Sequence, residues 1–468
     1  MSSRPARCIV HVNEADAGGG AQVIARSMVQ AARSAGRESW LLVNRKLTDD
    51  SAVLPLPDSG GGSVLWRGAC RALARFSRRL PYRLGHPLER SARLAEQPVD
   101  AVDWMWGREP FHRPHTRKIL ELSPRSPDVL HAHNLHHGYF DLRVLPHVSR
   151  RVPLVLTLHD EWLLTGHCAG TMGCERWTTG CGQCPDLDRY PPLRRDNTAA
   201  NWRRKADIFK DSRLFVSTPS QWLMARVDRS MVAPAIAERR VIPNGIDTAA
   251  FQAGDRAAAR SRLRLPDDAH VVLFSANSMR SNAFKDYPTI RQAVRRLTQA
   301  FPDRDVILLA LGDAGDDPEA ADLDVRFLGL TNDQRLIQDA YHAADLYLHA
   351  AHTDNFPTTI LEALASGLPV VATAVGGIPE QIRALDLPGC DTTNPHTVSG
   401  NETGVLVPHR DDGAMARAAE TLLTQDDLRH RLSENARRDA RDRYDLSVQT
   451  RAFMDWYDEI VDRFGRPT

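Results

Sequence analysis

A chain of 468 residues, 42% of them hydrophobic, is long enough for two domains with separate apolar cores. Its 60 Lys and Arg against 59 Asp and Glu leave a formal charge of +1, which gives no reason to expect a nucleic-acid partner. No uninterrupted apolar run could span a bilayer, and the opening MSSRPARCIVHV enters a short strand rather than a signal-peptide core. The expectation is a cytoplasmic protein whose membrane contact, where there is any, is peripheral.

In chain order, Arg7–Val12 reads as an apolar strand, 21–35 as a helix and Ser39–Val43 as a second strand. Between the first two, Gly18-Gly19-Gly20 forms a turn that lets backbone approach a phosphate or sugar closely, although a plain tight turn explains it as well. It is not GxGxxG, so a dinucleotide site is poorly supported. Pro and Gly at 55–63 mark a loop, followed by Arg67, Arg71, Arg75, Arg78, Arg79, Arg83, Arg90 and Arg93 with Glu89 the only acid. Leu65, Ala69, Leu73, Phe76 and Leu80 recur at helical spacing within it, giving a basic amphipathic helix. That helix suits either an anionic membrane surface or a domain surface with a solvated Arg face. Further strands follow at 128–132, 153–158, 213–217 and 240–243. The polar, Ala-rich 246–266 reads as the junction, placing one domain at 1–247 and a second at 248–446. Strands in the second are expected at 270–274, 305–309, 325–328, 346–349, 369–372 and 404–407, with a final helix at 447–464. Strands alternating with helices imply an α/β chain with doubly wound parallel sheets.

The most informative stretch is Asp354-Asn355-Phe356-Pro357-Thr358-Thr-Ile-Leu-Glu362, running on to Gly376-Gly377-Ile-Pro-Glu380. Pro357 suits a helix start, so Asp354 falls in the loop before the helix and Glu362 more than a turn inside it. Amides at the start, from Asn355 to Ile360, are expected to face an anionic group between the two carboxylates. A nucleotide sugar has hydroxyls at both ends and phosphate in the middle, which matches. Arg280 and Lys285 lie in the loop after the first strand of the second domain, where fixed cations would offset charge on a leaving diphosphate. His159 ends the strand PLVLTLH, at the strand end where open parallel sheets bind ligands. His131, His133, His136 and His137 cluster nearby; lining of a cleft is preferred over metal ligation, because no carboxylate or Cys lies at ligand spacing. Cys168, Cys174, Cys181 and Cys184 crowd one Gly-rich loop, a candidate structural Zn²⁺ site, with disulfides or free thiols as alternatives.

The stretch from Asp354 to Glu380 resembles the signature of the retaining GT-B glycosyltransferases of the group 1 family, glycosyltransferase family 4, similar to those building surface polysaccharides. That signature has Glu, seven residues, Glu, a small-residue helix, Gly-x-Pro-Val-Val-Ala and a Gly-Gly turn; here Asp354 replaces the first Glu. The resemblance implies two Rossmann-like domains facing a cleft, with the last helix, 447–468, crossing back to the first domain. It implies that Asp354 faces the donor sugar and Glu362 holds the ribose. Lys285 and Arg280 would meet the diphosphate, as the family's Arg-x4-Lys-Gly does, with Asp286 in place of that Gly. His159 would reach the sugar or its phosphate, Gly19 and Gly20 would lie near it, and the backbone around Leu328, in Phe327-Leu-Gly-Leu330, would hold the base. The implied reaction is retaining transfer from a nucleotide-diphosphate sugar to a glycan, a lipid-linked glycan or a small-molecule hydroxyl. Acidic pairs such as Asp186 and Asp188 lack the strand setting of a GT-A metal motif, so no obligatory catalytic metal is expected. The alternatives are a nucleotide-sugar epimerase of the same fold and a non-catalytic sugar-nucleotide-binding module.

Overall fold

The computed structural model describes residues 6–57, 64–77, 88, 98–315, 317–390 and 399–464. The chain forms two compact units: Met1–Ser217, Ala225–Arg240 and Trp456–Thr468 make the first, Thr218–Met224 and Val241–Asp455 the second.

The first unit carries a seven-stranded sheet ordered β3-β2-β1-β4-β5-β6-β7. Its strands are β1 (Cys8–Ala15), β2 (Glu38–Arg45), β3 (Val53–Pro55), β4 (Val129–Ala132), β5 (Leu154–Thr157), β6 (Leu214–Thr218) and β7 (Ile236–Val241). β1 is buried at every position, as a parallel strand covered on both faces must be. It pairs in parallel with β2 on one side and β4 on the other, placing His11 beside His131. The chain therefore reverses direction across the sheet between the ends of β1 and β4, the position where such sheets bind ligands. The helix Gly20–Ser34 follows the glycine turn and buries Ile24, Ala25, Met28, Val29 and Ala32 along one stripe.

The second unit carries six strands ordered β10-β9-β8-β11-β12-β13. They are β8 (His270–Ser275), β9 (Val306–Leu311), β10 (Asp324–Gly329), β11 (Leu346–His349), β12 (Val370–Thr373) and β13 (Gly404–Val407). Alternation along β8 sends Val271 and Leu273 into one apolar cluster and Val272 and Phe274 into another. Both faces are thus covered, and the switch point lies between the ends of β8 and β11. The α/β class and doubly wound sheets expected from the sequence are present in both units.

Three details correct the sequence reading. The short edge strand β3 is not expected from the sequence and meets the 55–63 loop only at Pro55. β7 starts at Ile236 rather than at 240. The segment 246–266, read as the junction, lies within the second unit: its helix Arg256–Leu263, capped by the Asp255 side chain, packs there. There Arg260 is fully buried, bonded to Asp345 at 2.9 Å and to the carbonyls of Ala343, Pro266, Asp267 and Ala269. The units accordingly divide at Arg240/Val241 instead of 247, and Thr218–Met224 joins the second. The final helix spans Leu446–Phe464, with Trp456 onward belonging to the first unit.

The basic helix is described over Val64–Ser77; Arg78, Arg79, Leu80, Arg83, Arg90 and Arg93 lie outside the described residues. Cys70 and Ser77 are buried, whereas Leu73 and Phe76 are 41% and 56% exposed. No described helix is long and apolar enough to cross a membrane.

Candidate functional site

In the second unit the loops after β8 and β11 meet at the switch point, joined by an antiparallel bridge between Lys285 and Ala351. The bridge sets the Lys285 ammonium 2.5 Å from Asp354 Oδ2 and 3.3 Å from His349 Nε2. His349 is fully buried at the end of β11, with Nδ1 3.3 Å from the Tyr347 hydroxyl. That hydroxyl donates to the Ser275 carbonyl, so it accepts from His349 Nδ1–H and leaves Nε2 to accept from Lys285. Burial, then the Lys285 charge, lowers His349 to about 4, so it stays neutral. Burial alone would raise the Asp354 carboxyl; Lys285 and His349 outweigh it and hold Asp354 well below the usual range.

The backbone under Asp354 is locked by the Gly-Gly turn. Gly377 N–H donates to the Asp354 carbonyl at 3.0 Å. Gly376 has φ +61°, and a Cβ there would fall 1.8 Å from the same oxygen. A Cβ on Gly377 would lie 2.0 Å from the Asn355 carbonyl. Only glycine permits this approach. Downstream, Glu380 accepts from the Gln221 and Trp222 amides at 2.7 Å each, tying the turn to Thr218–Met224.

The remaining expected residues of this unit are placed as follows. Asn355 bonds the Ser220 hydroxyl through its side chain at 2.5 Å. Phe356 is buried edge-on against Tyr444, so it offers a ligand only backbone. Pro357 is the helix cap rather than its first residue, and the helix runs Thr358–Ala365. The amides available to an anion by helix geometry are therefore those of Thr358 and Thr359; the Ile360 amide turns back to the Pro357 carbonyl at 3.3 Å. Glu362 accepts from the Tyr341 hydroxyl at 2.6 Å, and burial, only partly offset by that bond, raises its carboxyl. Arg280 pairs with Asp313 at 3.1 Å and lies 5.0 Å over the Phe327 ring. Leu328, next in β10, is partly buried against the core.

In the first unit the expected lining role of His131 and His133 fails, because both are buried inside the sheet, as is His11. The three rings offer donor atoms within 4.8 Å of one another, the spacing of a metal site. Hydrogen bonds already occupy them. His131 Nδ1 meets the Tyr457 hydroxyl at 2.5 Å and Nε2 meets Thr157 Oγ1 at 2.6 Å. His11 Nδ1 lies 3.2 Å from His133 Nε2, and His133 Nδ1 lies 3.1 Å from His159 Nε2. His11 Nε2, at the blind end, has no partner. A buried N–H without an acceptor costs more than a bare imine nitrogen, so the proton of His11 belongs on Nδ1. The relay then runs one way: His11 donates to His133, His133 donates to His159 Nε2, and His159 is left as the Nδ1–H tautomer. Burial lowers His159 to about 4 despite neighbouring Asp160. Gly19 caps the helix after β1, and Gly18, at φ +103°, is exposed with open space where a Cβ would stand. Cys168, Cys174, Cys181 and Cys184 are not paired in disulfides and line one cavity. His11, His349 and Tyr341 were not singled out by sequence; His349 alone carried a signal, as a polar residue closing an apolar strand.

Residues 18–250 match the family model described as Glycosyltransferase Family 4, and residues 255–439 match that described as Glycosyl transferases group 1. A relative in Escherichia coli named for colanic acid biosynthesis, the glycosyl transferase WcaC, is 34% identical over 53% of this chain and 60% of its own. A D-inositol 3-phosphate glycosyltransferase from Kineococcus radiotolerans is 36% identical over 42% of this chain and 46% of its own. The chain spans about half the length of the curated relatives it matches. Sucrose-phosphate synthase from Thermosynechococcus elongatus shares the fold at TM-score 0.58 and 17% identity, covering 97% of this chain and 99% of that one. Anabaena HepE in complex with UDP does so at TM-score 0.58 and 17% identity, covering 96% and 99%.

Two predictions follow from this geometry. Gly376→Ala should cost about 3 kcal/mol or more in denaturant unfolding through backbone clash at positive φ, whereas Gly18→Ala, strained in φ but without the clash, should cost less. Nitrogen-15 spectra should show His159 as the neutral Nδ1–H tautomer, without titration between about pH 5 and 8. An Nε2–H signal would refute the relay.

Proposed function

We propose that the chain, whose two halves match the Family 4 and group 1 glycosyltransferase models, is a retaining transferase of the GT-B fold using a nucleotide-diphosphate sugar. The observation that carries this reading is the Lys285–Asp354 pair at the switch point, held by a turn that only glycine can make. Lys285 and the amides of Thr358 and Thr359 receive the diphosphate. Glu362, oriented by Tyr341, accepts the ribose hydroxyls. Asp354 orients the sugar. His159 supplies a neutral N–H donor to the sugar or its phosphate, and the Gly19–Gly20 turn admits it closely. Arg280, stacked on Phe327, acts near the base rather than on the leaving group. The bond from the anomeric carbon to the diphosphate breaks, and the acceptor oxygen bonds to the same face. The acceptor proton passes to the departing phosphate oxygen, so neither a protein nucleophile nor a catalytic metal is required.

UDP-sugars are the first donors to test, since structures of the same fold hold UDP and UDP-glucose. The named role of the E. coli relative supports a growing polysaccharide or its lipid-linked precursor as acceptor. The protein would then act from the cytoplasmic side of a membrane, where Leu73 and Phe76 stand exposed on an Arg-bearing helix.

A panel of nucleotide sugars scored by nucleoside diphosphate release tests the reading. Lys285→Ala should lower kcat about a hundredfold or more. Glu362→Gln should raise the donor KM about ten- to hundredfold with a smaller effect on kcat. Donor consumption that ignores added acceptor would point to an epimerase, and tight binding without release to a non-catalytic module. Equal turnover by wild type and both variants would remove the site assignment.

Membrane contact is checked by co-sedimentation. Phosphatidylglycerol vesicles should retain the protein and phosphatidylcholine vesicles should not. Replacing Leu73 and Phe76 together by Ser should weaken retention at least about tenfold.

A further inference from the structure

Between β5 and the helix Thr198–Lys210 the chain makes only two short 3₁₀ turns, Trp162–Leu164 and Arg176–Thr178. So long an irregular segment needs something other than ladders to order it. Lys205 holds its near end, donating to the carbonyls of Trp162 at 2.9 Å and Thr165 at 3.1 Å. The far part winds around a cavity of about 20 Å³ lined by Cys168, Cys174, Cys181, Cys184 and His167.

We propose that this loop is a structural zinc site with Cys168, Cys174, Cys181 and Cys184 as its ligands. Four soft sulfurs lining one cavity are the donor set zinc takes when it serves structure, and with all four bound no position is left open for chemistry. The backbone supplies a second observation. Gly180, Cys181, Gly182 and Gln183 have φ of +123°, +57°, +92° and +48°, and Met172-Gly173 has +47° and +82°. Non-glycine residues hold left-handed backbone only where their surroundings fix it, and here these turns aim Cys174, Cys181 and Cys184 at one cavity. The Gly166 amide donates to Cys181 Sγ at 3.3 Å, a bond that strengthens when the sulfur is a thiolate.

His167 completes the arrangement. Its Nδ1–H donates to the Pro191 carbonyl at 2.9 Å, so Nε2 is a bare lone pair 3.3 Å from Cys184 Sγ. In the thiol form Cys184 can donate to it or to the Asp186 carbonyl, also 3.3 Å away. Ligation requires the thiolate form of each sulfur. Among the described residues no three of these donor atoms lie within 4.8 Å, so binding contracts the ring by rotation of the cysteine side chains.

The test reads metal, not transfer, and so stands apart from the enzymatic reading. Full-length protein purified under reductant should retain about one zinc per chain through desalting. Ser at any of the four ligand positions should cut occupancy at least tenfold, while Cys8→Ser and Cys390→Ser keep it. Should the ligand variants fold poorly, cobalt exchanged into wild type gives an independent answer through thiolate charge-transfer bands. Zinc-free wild type, cobalt spectra without those bands, or metal lost on His11→Ala but kept by Cys181→Ser would overturn the proposal.

Discussion

The second unit depends on a half-buried charge that is never left alone. Asp354 is brought into a poorly solvated loop, where an isolated carboxylate would be very costly, and the ammonium of Lys285 makes it tenable. Neither residue reaches the other by chance of side-chain length. Lys285 is fixed by a backbone bridge to Ala351, and the Asp354 carbonyl by the Gly377 amide. The positive φ of Gly376 brings that turn in close enough. Three loops, after β8, β11 and β12, are therefore committed to one ion pair, and the pair sits at the place where a doubly wound sheet opens.

The first unit solves the equivalent problem without charge. At its own switch point it stacks imidazoles instead of pairing ions, and burial keeps His11 and His159 neutral. Neutral rings in series have a direction, set by the blind end at His11 Nε2. The consequence for the exposed end is a defined tautomer rather than a defined charge. A group that must donate a hydrogen bond to a polyanionic ligand gains little from being cationic if ionising it inside the sheet would cost more than the contact returns.

Much of this was legible beforehand, for reasons that also explain the gaps. Buried parallel strands read as continuous apolar runs, so β8 and β11 stood out, and His159 and Lys285 could be assigned to strand ends. The Gly376-Gly377 pair announced a tight backbone, though not which carbonyl it would meet. What failed depended on partners distant in sequence. Segment 246–266 reads as a junction because it is polar and Ala-rich, and only the five acceptors around the Arg260 guanidinium make that residue core. His131 and His133 alternate correctly, but nothing in 131–137 reveals that β1 brings His11 beside them. Tyr341 likewise sits on the helix Gln334–Ala343, and no spacing rule connects it to Glu362.

The substitution of Asp for Glu at 354 becomes intelligible in the same terms. A shorter carboxylate reaches less far toward a ligand, yet here it lies 2.5 Å from Lys285, close enough to hold the ammonium in place while no other anion is present. On the proposed function, an arriving diphosphate would bring more negative charge than one cation can neutralise, and Lys285 would then be shared. Sharing would loosen its hold on Asp354 and free those oxygens to accept from sugar hydroxyls, while His349, neutral and fixed by Tyr347, would keep the ammonium in place. Under that reading the pair is a charge-balanced resting state, which a ligand with both an anionic and a hydroxylated part takes apart at least cost.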